Sequence, residues 1–145
     1  VCSSDLSGDD EIKNWLNALN LTFFEIESHQ KVQYHAAAAI VSNYLVAVLD
    51  FGFSQFEALG LPAELAKKAL WPLVMGTIEN VEALGTKKAL TGPIVRGDVQ
   101  TIEKHLEAMR EDTKALYKTL GAYTLNMTDQ PIQTHKKLSS LFKEE

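Results

Sequence analysis

From Ser28 to about Leu59 the chain runs without a proline through a segment rich in alanine, valine and leucine. Good helix formers over such a length, with no breaker, read as one long helix. Ser28 is the expected N-cap. From His35 to Val41, and again from Val46 to Leu49, apolar residues fall on most faces of that helix. This is the pattern of a central helix that is largely buried. Everything else in the fold has to be arranged around it, and past residue 28 the chain reads as an all-α bundle.

Gly60 stops the long helix, and Pro62 stands where a first-turn proline belongs. Leu65, Ala69, Leu73 and Thr77, beside Leu70, Val74, Ile78 and Val81, mark a second long helix. Pro72 is expected to kink it by removing a backbone donor. The segment from Leu90 to Asp98 is the main irregular stretch. Asp98 caps a helix carrying Ile102, Leu106 and Met109. A further helix runs from about Asp112 through Tyr117 to Tyr123, and Pro131 opens a last one with Leu138, Leu141 and Phe142. Trp15, Trp71 and the phenylalanines are assigned to the core.

Upstream of Ser28 the character differs. Asp9 and Asp10 precede a short helical pattern of Ile12, Trp15, Leu16 and Leu19. Leu21 to Ile26 is a β-branched and aromatic run of strand length. A lone helix and strand cannot make a sheet, so residues 7–27 read as the end of a truncated α/β domain, followed by a helical domain over 28–145. Residues 1–6, Val1 to Leu6, resemble one reading frame of a sequencing adapter and are expected to be a non-native leader.

Composition narrows the function. The net charge is −5, from 14 Lys and Arg against 19 Asp and Glu, which argues against a nucleic-acid partner. No uninterrupted apolar run approaches the roughly 20 residues of a bilayer span, so no membrane partner is expected. Cys2 is the single cysteine, which excludes an internal disulfide framework. His29, His105 and His135 are scattered without ligand spacing, so no metal site is expected. The absence of a targeting signal makes the cytoplasm the expected location.

Lys31 and His35 stand one helical turn apart, with Ser42 two turns further along that face and Asn43 on its flank. A lysine and a histidine in one cleft can hydrogen-bond a substrate carbonyl and give it a proton, and Asn43 can orient the partner through its amide. The alternative is an exposed Lys31 and a core His35 bonded to a backbone carbonyl. Thr91, Gly92, Arg96, Gly97 and Asp98 form a second group. Gly92-Pro93 fixes a turn, Gly97 permits a special backbone shape, and Arg96 is held between them. A guanidinium beside a helix N-terminus suits a substrate carboxylate or a cofactor phosphate. The alternative is an Arg96–Asp98 contact that stiffens the loop. Thr77 and Asn80, one turn apart, are more simply polar gap fillers. No Gly-x-Gly-x-x-Gly turn, Walker loop or Gly-x-Ser-x-Gly elbow is present.

Three stretches together resemble a known family: Lys31 to Ala39 with Ser42 to Leu45, the Thr77-x-x-Asn80 turn, and Thr91-Gly-Pro-Ile-Val-Arg-Gly-Asp98. They look like domain of unknown function 2520, the helical partner of a Rossmann-like NADP-binding domain, over roughly residues 22–130. That family is similar to the 6-phosphogluconate dehydrogenase, ketopantoate reductase and pyrroline-carboxylate reductase group. The resemblance implies a helical bundle of the 6-phosphogluconate dehydrogenase C-terminal type behind a Rossmann-like helix-strand remnant. It implies an NAD(P)-dependent oxidoreductase acting on a small-molecule substrate, with the NADP or NAD held mainly by an upstream domain. This chain would then supply substrate contacts and a homodimer interface, with Lys31, His35 and Asn43 catalytic and Asn80, Thr91, Gly92, Arg96, Gly97 and Asp98 binding substrate. The dehydrogenases and ketopantoate reductases place an asparagine one turn after the lysine. Here His35 holds that place and the asparagine stands at 43. The rival expectation is a dimerisation or ligand-sensing helical module without chemistry.

Overall fold

The computed structural model describes residues 10–143, and every described element is helical. The expected leader at residues 1–6 lies outside the described residues. The chain divides into two compact units, 1–52 and 53–145.

In the first unit, helix α1 spans Asp10–Ala18. Residues 21–27 have no regular secondary structure, so the strand expected over Leu21 to Ile26 is absent. A strand exists through its ladder of inter-strand hydrogen bonds, and no neighbouring strand is present among the described residues to supply one. The segment is instead anchored by side chains: Lys13 Nζ pairs with Glu25 at 2.7 Å, and Phe24 meets the Tyr34 ring edge-on at 5.8 Å.

A one-turn 3₁₀ helix at Ser28–Gln30 leads into α2 at Lys31–Ala39. The cap is Glu27, not the expected Ser28. Glu27 and Gln30 form a reciprocal capping box, with the Glu27 N–H donating to Gln30 Oε1 at 2.8 Å. Three residues is the spacing at which two long polar side chains can each satisfy the other's backbone. A π-turn, Ile40–Tyr44, connects α2 to α3 at Leu45–Glu57, whose last residues, from 53 on, belong to the second unit. The long helix thus has the extent read from the sequence, but its expected burial is not observed. None of its residues is buried, and Val32 and Val41 are 81% and 72% exposed. An all-round apolar helix calls for cover on all sides, and unit 1 contains only short elements with which to cover it.

The second unit holds α4 at Ala63–Leu84, α5 at Thr86–Ala89, α6 at Pro93–Arg96, α7 at Val99–Ala108, α8 at Glu111–Asn126 and α9 at Ile132–Leu141. Helix α4 continues through Pro72. The core is formed by Ile102, Leu125, Leu138 and Phe142, with Ile94, Val99, Leu106 and Tyr117 packed around it. Leu65, Trp71, Leu73 and Ile78 of α4 are exposed, and so are Trp15 and Phe24 in the first unit. The core assignment of the tryptophans and of Phe24 therefore fails within this chain. Phe142 is the phenylalanine that is buried.

Candidate functional site

The candidate residues fall into two groups, one in each unit. In unit 1 the capping box fixes where the helix begins and places Lys31 at the first position of α2. Lys31 is half-buried and His35, one turn on, is exposed. Within this chain the histidine is therefore not a core residue.

Asn43 lies in the π-turn. An unbroken α-helix would carry it about 80° round from His35. The extra residue wound into a π-turn rotates the register back toward the Lys31–His35 face. Within the distortion the Ser42 hydroxyl donates to the Ala38 carbonyl at 2.7 Å. Such a bond competes with the backbone ladder and bends helices. π-Turns are rare and recur at functional sites, because they aim side chains that a regular helix would space differently. The sequence carried one weak signal of it, a β-branched pair followed by Ser42-Asn43.

In unit 2 the stretch expected to be irregular contains a single helical turn, α6, bracketed by two glycines. Gly92 has φ +98° and Gly97 has φ +68°, conformations that side chains resist. Pro93 opens the turn. Within it, the Gly97 N–H donates to the Ile94 carbonyl at 3.1 Å and the Asp98 N–H to the Pro93 carbonyl at 2.9 Å. Asp98 then caps α7: its carboxylate accepts from the Thr101 N–H at 3.0 Å and from the Thr101 hydroxyl at 2.6 Å. These bonds hold the Asp98 carboxyl below the usual carboxylate range, and the Arg96 and Lys104 charges act the same way through space. The carboxylate of Asp98 is thus engaged by Thr101, Arg96 acts on it through space, and Arg96 and Thr91 are both exposed. Thr101 was missed as the cap partner, although an Asp-x-x-Thr spacing before an apolar run signals one. Gln130 was missed as well. Its amide donates to the carbonyls of Ile94 at 2.9 Å and Val95 at 2.5 Å, and nothing local to residue 130 announces a bond to a turn so far upstream.

Asn80 is exposed on α4, and Thr77 returns its hydroxyl to the Leu73 carbonyl at 2.8 Å. The structure therefore groups Lys31, His35 and Asn43 on one distorted helix, and Gly92, Arg96, Gly97 and Asp98 in one braced loop. Asn80 belongs to neither cluster. Chemically the first group offers proton donors and an amide on an exposed helix. The second offers a guanidinium beside a capped helix start. Among the described residues no group of three or more His, Cys, Asp or Glu is placed to hold a metal ion.

The helix over Ser28–Glu57 is long and apolar enough to cross a membrane by length and composition, with a mean hydropathy of 1.7 in its most apolar window. The absence of an unbroken apolar run in the sequence does not exclude such a helix, because polar residues such as Ser42 and Asn43 interrupt it without lowering its mean hydropathy below that of a span. Core helices of soluble proteins share that length and composition.

Neither a curated protein nor a solved structure matches the chain. Residues 3–124 match the family model of a domain of unknown function, DUF2520, and the chain belongs to that family.

Proposed function

We propose that this chain is the helical substrate and dimerisation domain of a cytoplasmic NAD(P)-dependent oxidoreductase, of the 6-phosphogluconate dehydrogenase C-terminal type. Residues 7–27 would be the end of an upstream Rossmann-like domain. The observation that carries the reading is the exposed apolar helix Ser28–Glu57, which bears Lys31 and His35 near its start and Asn43 in its π-turn. An apolar surface studded with a few convergent polar groups is what a substrate cleft looks like when its other wall is removed.

The bound nicotinamide would supply the hydride. This chain has no glycine-rich phosphate turn, so the cofactor would be held mainly by the upstream domain. Lys31 or His35 would hydrogen-bond the oxygen or nitrogen of the reacting carbonyl or imine and hand it a proton. The Asn43 amide would orient that group. Arg96, with Thr91, Gly92, Gly97 and Asp98 shaping its loop, would hold an acidic group of the substrate or a cofactor phosphate, and Asn80 would make a further polar contact. The test is made in the protein carrying its upstream domain. Lys31→Met together with His35→Ala should abolish NADPH oxidation while NADPH still binds, and the single variants should show which of the two is the donor. Undiminished turnover would remove these roles.

The exposed apolar faces of α3 and α4 equally support a second reading, a dimerisation or ligand-sensing module that has no chemistry. Tight dimerisation of the longer protein, with no NADPH oxidation across oxo-acids, imines and aldehydes, would favour that module.

A further inference from the structure

The turn that carries Arg96 is only four residues long. A helix that short has no stability of its own, and its last carbonyls depend on partners beyond it; that of Ile94 accepts from the Gly97 N–H. Gln130, in the connection between α8 and α9, supplies a further partner. The two hydrogens of its amide nitrogen reach the Ile94 and Val95 carbonyls, the two acceptors immediately before Arg96. One NH₂ group has a donor for each.

The opposite end of the same amide sets the identity of residue 97. A Cβ at Gly97 would stand 2.8 Å from Gln130 Oε1 and 2.9 Å from Thr134 Cγ2. Both lie inside van der Waals contact, so Gly97 is favoured by its positive φ and again by the approach of Gln130, whose amide could make room only by giving up its bonds to the turn. Gln130 therefore grips the Arg96 turn on both sides, through the carbonyls before the arginine and the glycine after it. Gln130 also lies beyond the residues matched to the family, 3–124.

We infer that Gln130 is a positioning residue for Arg96. It locks the turn so that the guanidinium is presented in one orientation to an anionic group, a carboxylate or a phosphate. The inference rests on the reading of Arg96 as an anion-holding side chain.

The experiment uses nuclear magnetic resonance on the 145-residue chain. Amide exchange is followed at Gly97 and Asp98, with Ile102 and Leu125 as internal references. The Arg96 Nε–H signal is then titrated with inorganic phosphate and, separately, with malonate; the tighter titrant identifies the anion class. Gln130→Glu keeps the shape but loses the donors, and Gln130→Met loses them without adding charge. Both are expected to speed exchange at Gly97 and Asp98 by about tenfold and to weaken the preferred anion by about tenfold, the effect of a lost pair of modest hydrogen bonds. Ile102 and Leu125 should exchange as before. Wild-type exchange and affinity in Gln130→Met would overturn the inference, and so would an equal acceleration at all four amides. Arg96→Gln separates the two claims. If it binds both anions as well as wild type, or if wild type binds neither, the anion reading fails and the inference with it. If Arg96→Gln loses the anion while both Gln130 variants keep it, the anion reading stands and only the positioning role falls.

Discussion

The ring of Phe142 fills the space in which a side chain at Gly121 would begin. A Cβ at residue 121 would lie 2.7 Å from Phe142 Cζ and 2.8 Å from Cδ1. Glycine inside a helix costs about 1 kcal/mol against alanine, so in α8 this close approach outweighs helix propensity. It lets the end of α9 fold its aromatic ring onto the α8 backbone and close the core.

Gly121→Ala should therefore destabilise the second unit even though alanine is the better helix former. Overpacking costs about 1–3 kcal/mol and the helix regains about 1 kcal/mol, leaving a net loss on the order of 1 kcal/mol. Urea denaturation measures it. Adding Phe142→Leu should restore part of the loss, since the smaller side chain makes room. A single variant more stable than wild type would show that the ring is not confined.

Acid should weaken the Asp98 cap specifically. Its carboxyl sits below the usual range in the folded chain, chiefly through the Thr101 hydroxyl and N–H. A group depressed by folding contributes stability above its unfolded pKa and loses that contribution as pH falls through the folded value. At neutral pH Asp98→Ala should lower Tm by a few degrees. The gap to wild type should close as pH falls below the ordinary carboxylate range. Asp98→Asn, which can still accept at the cap without a charge, should show little of this pH dependence. A gap between wild type and Asp98→Ala that does not change with pH would refute the assignment.

Tyr117 should act at the opposite end of the scale. Burial raises its phenol above the usual tyrosine value, and its hydroxyl is 2.8 Å from His105 Nδ1. The folded chain thus holds this proton more tightly than the unfolded one. The stability involved is complete below the unfolded value, about 10, and is lost as pH rises through the folded one. Tyr117→Phe keeps the ring against Phe142, 6.5 Å away, and should cost only about 0.5–1.5 kcal/mol at neutral pH for the hydrogen bond. Above the tyrosine range the variant should fall off less steeply than wild type in chemical denaturation. Parallel curves would mean that Tyr117 is not the group being titrated.

What could be read from the sequence was whatever a residue does to its own backbone. Asp98 capping α7, Pro131 opening α9 and Gly60 ending the long helix all act within a few positions, and all stand where expected. What could not be read depends on partners. Leu21 to Ile26 has strand chemistry but no neighbouring strand to pair with. The apolar residues of α2 and α3 signal burial without saying against what, and this chain leaves them uncovered. Candidate residues such as Lys31 and Arg96 were visible by type and spacing, whereas the π-turn that re-aims Asn43 and the Gln130 amide behind Arg96 arise from competition for particular carbonyls. Gln130 shows nothing of that in its immediate sequence, and Ser42 only the weak signal of the β-branched pair before it.

The uncovered helix makes the last prediction. Leu45 and Val48 are three residues apart on one face of α3 and are 42% and 40% exposed. If a second copy of the chain covers that face, two-fold symmetry places each residue in the interface twice. Fully burying a Leu or Val side chain is worth about 1.5–3 kcal/mol; with about two fifths of each still to cover, Leu45→Glu with Val48→Glu removes four contributions of roughly 0.6–1.2 kcal/mol and sets four carboxylates into an apolar contact. The dimer should weaken by at least about a thousandfold, and sedimentation at micromolar concentration should pass from dimer to monomer. The core around Ile102 and Phe142 belongs to the other unit and should keep its amide protection, which separates a lost interface from a lost fold. A wild-type chain that sediments as a monomer would refute the dimer. Flotation of the wild type with phospholipid vesicles, abolished by the same two substitutions, would assign the face to lipid instead.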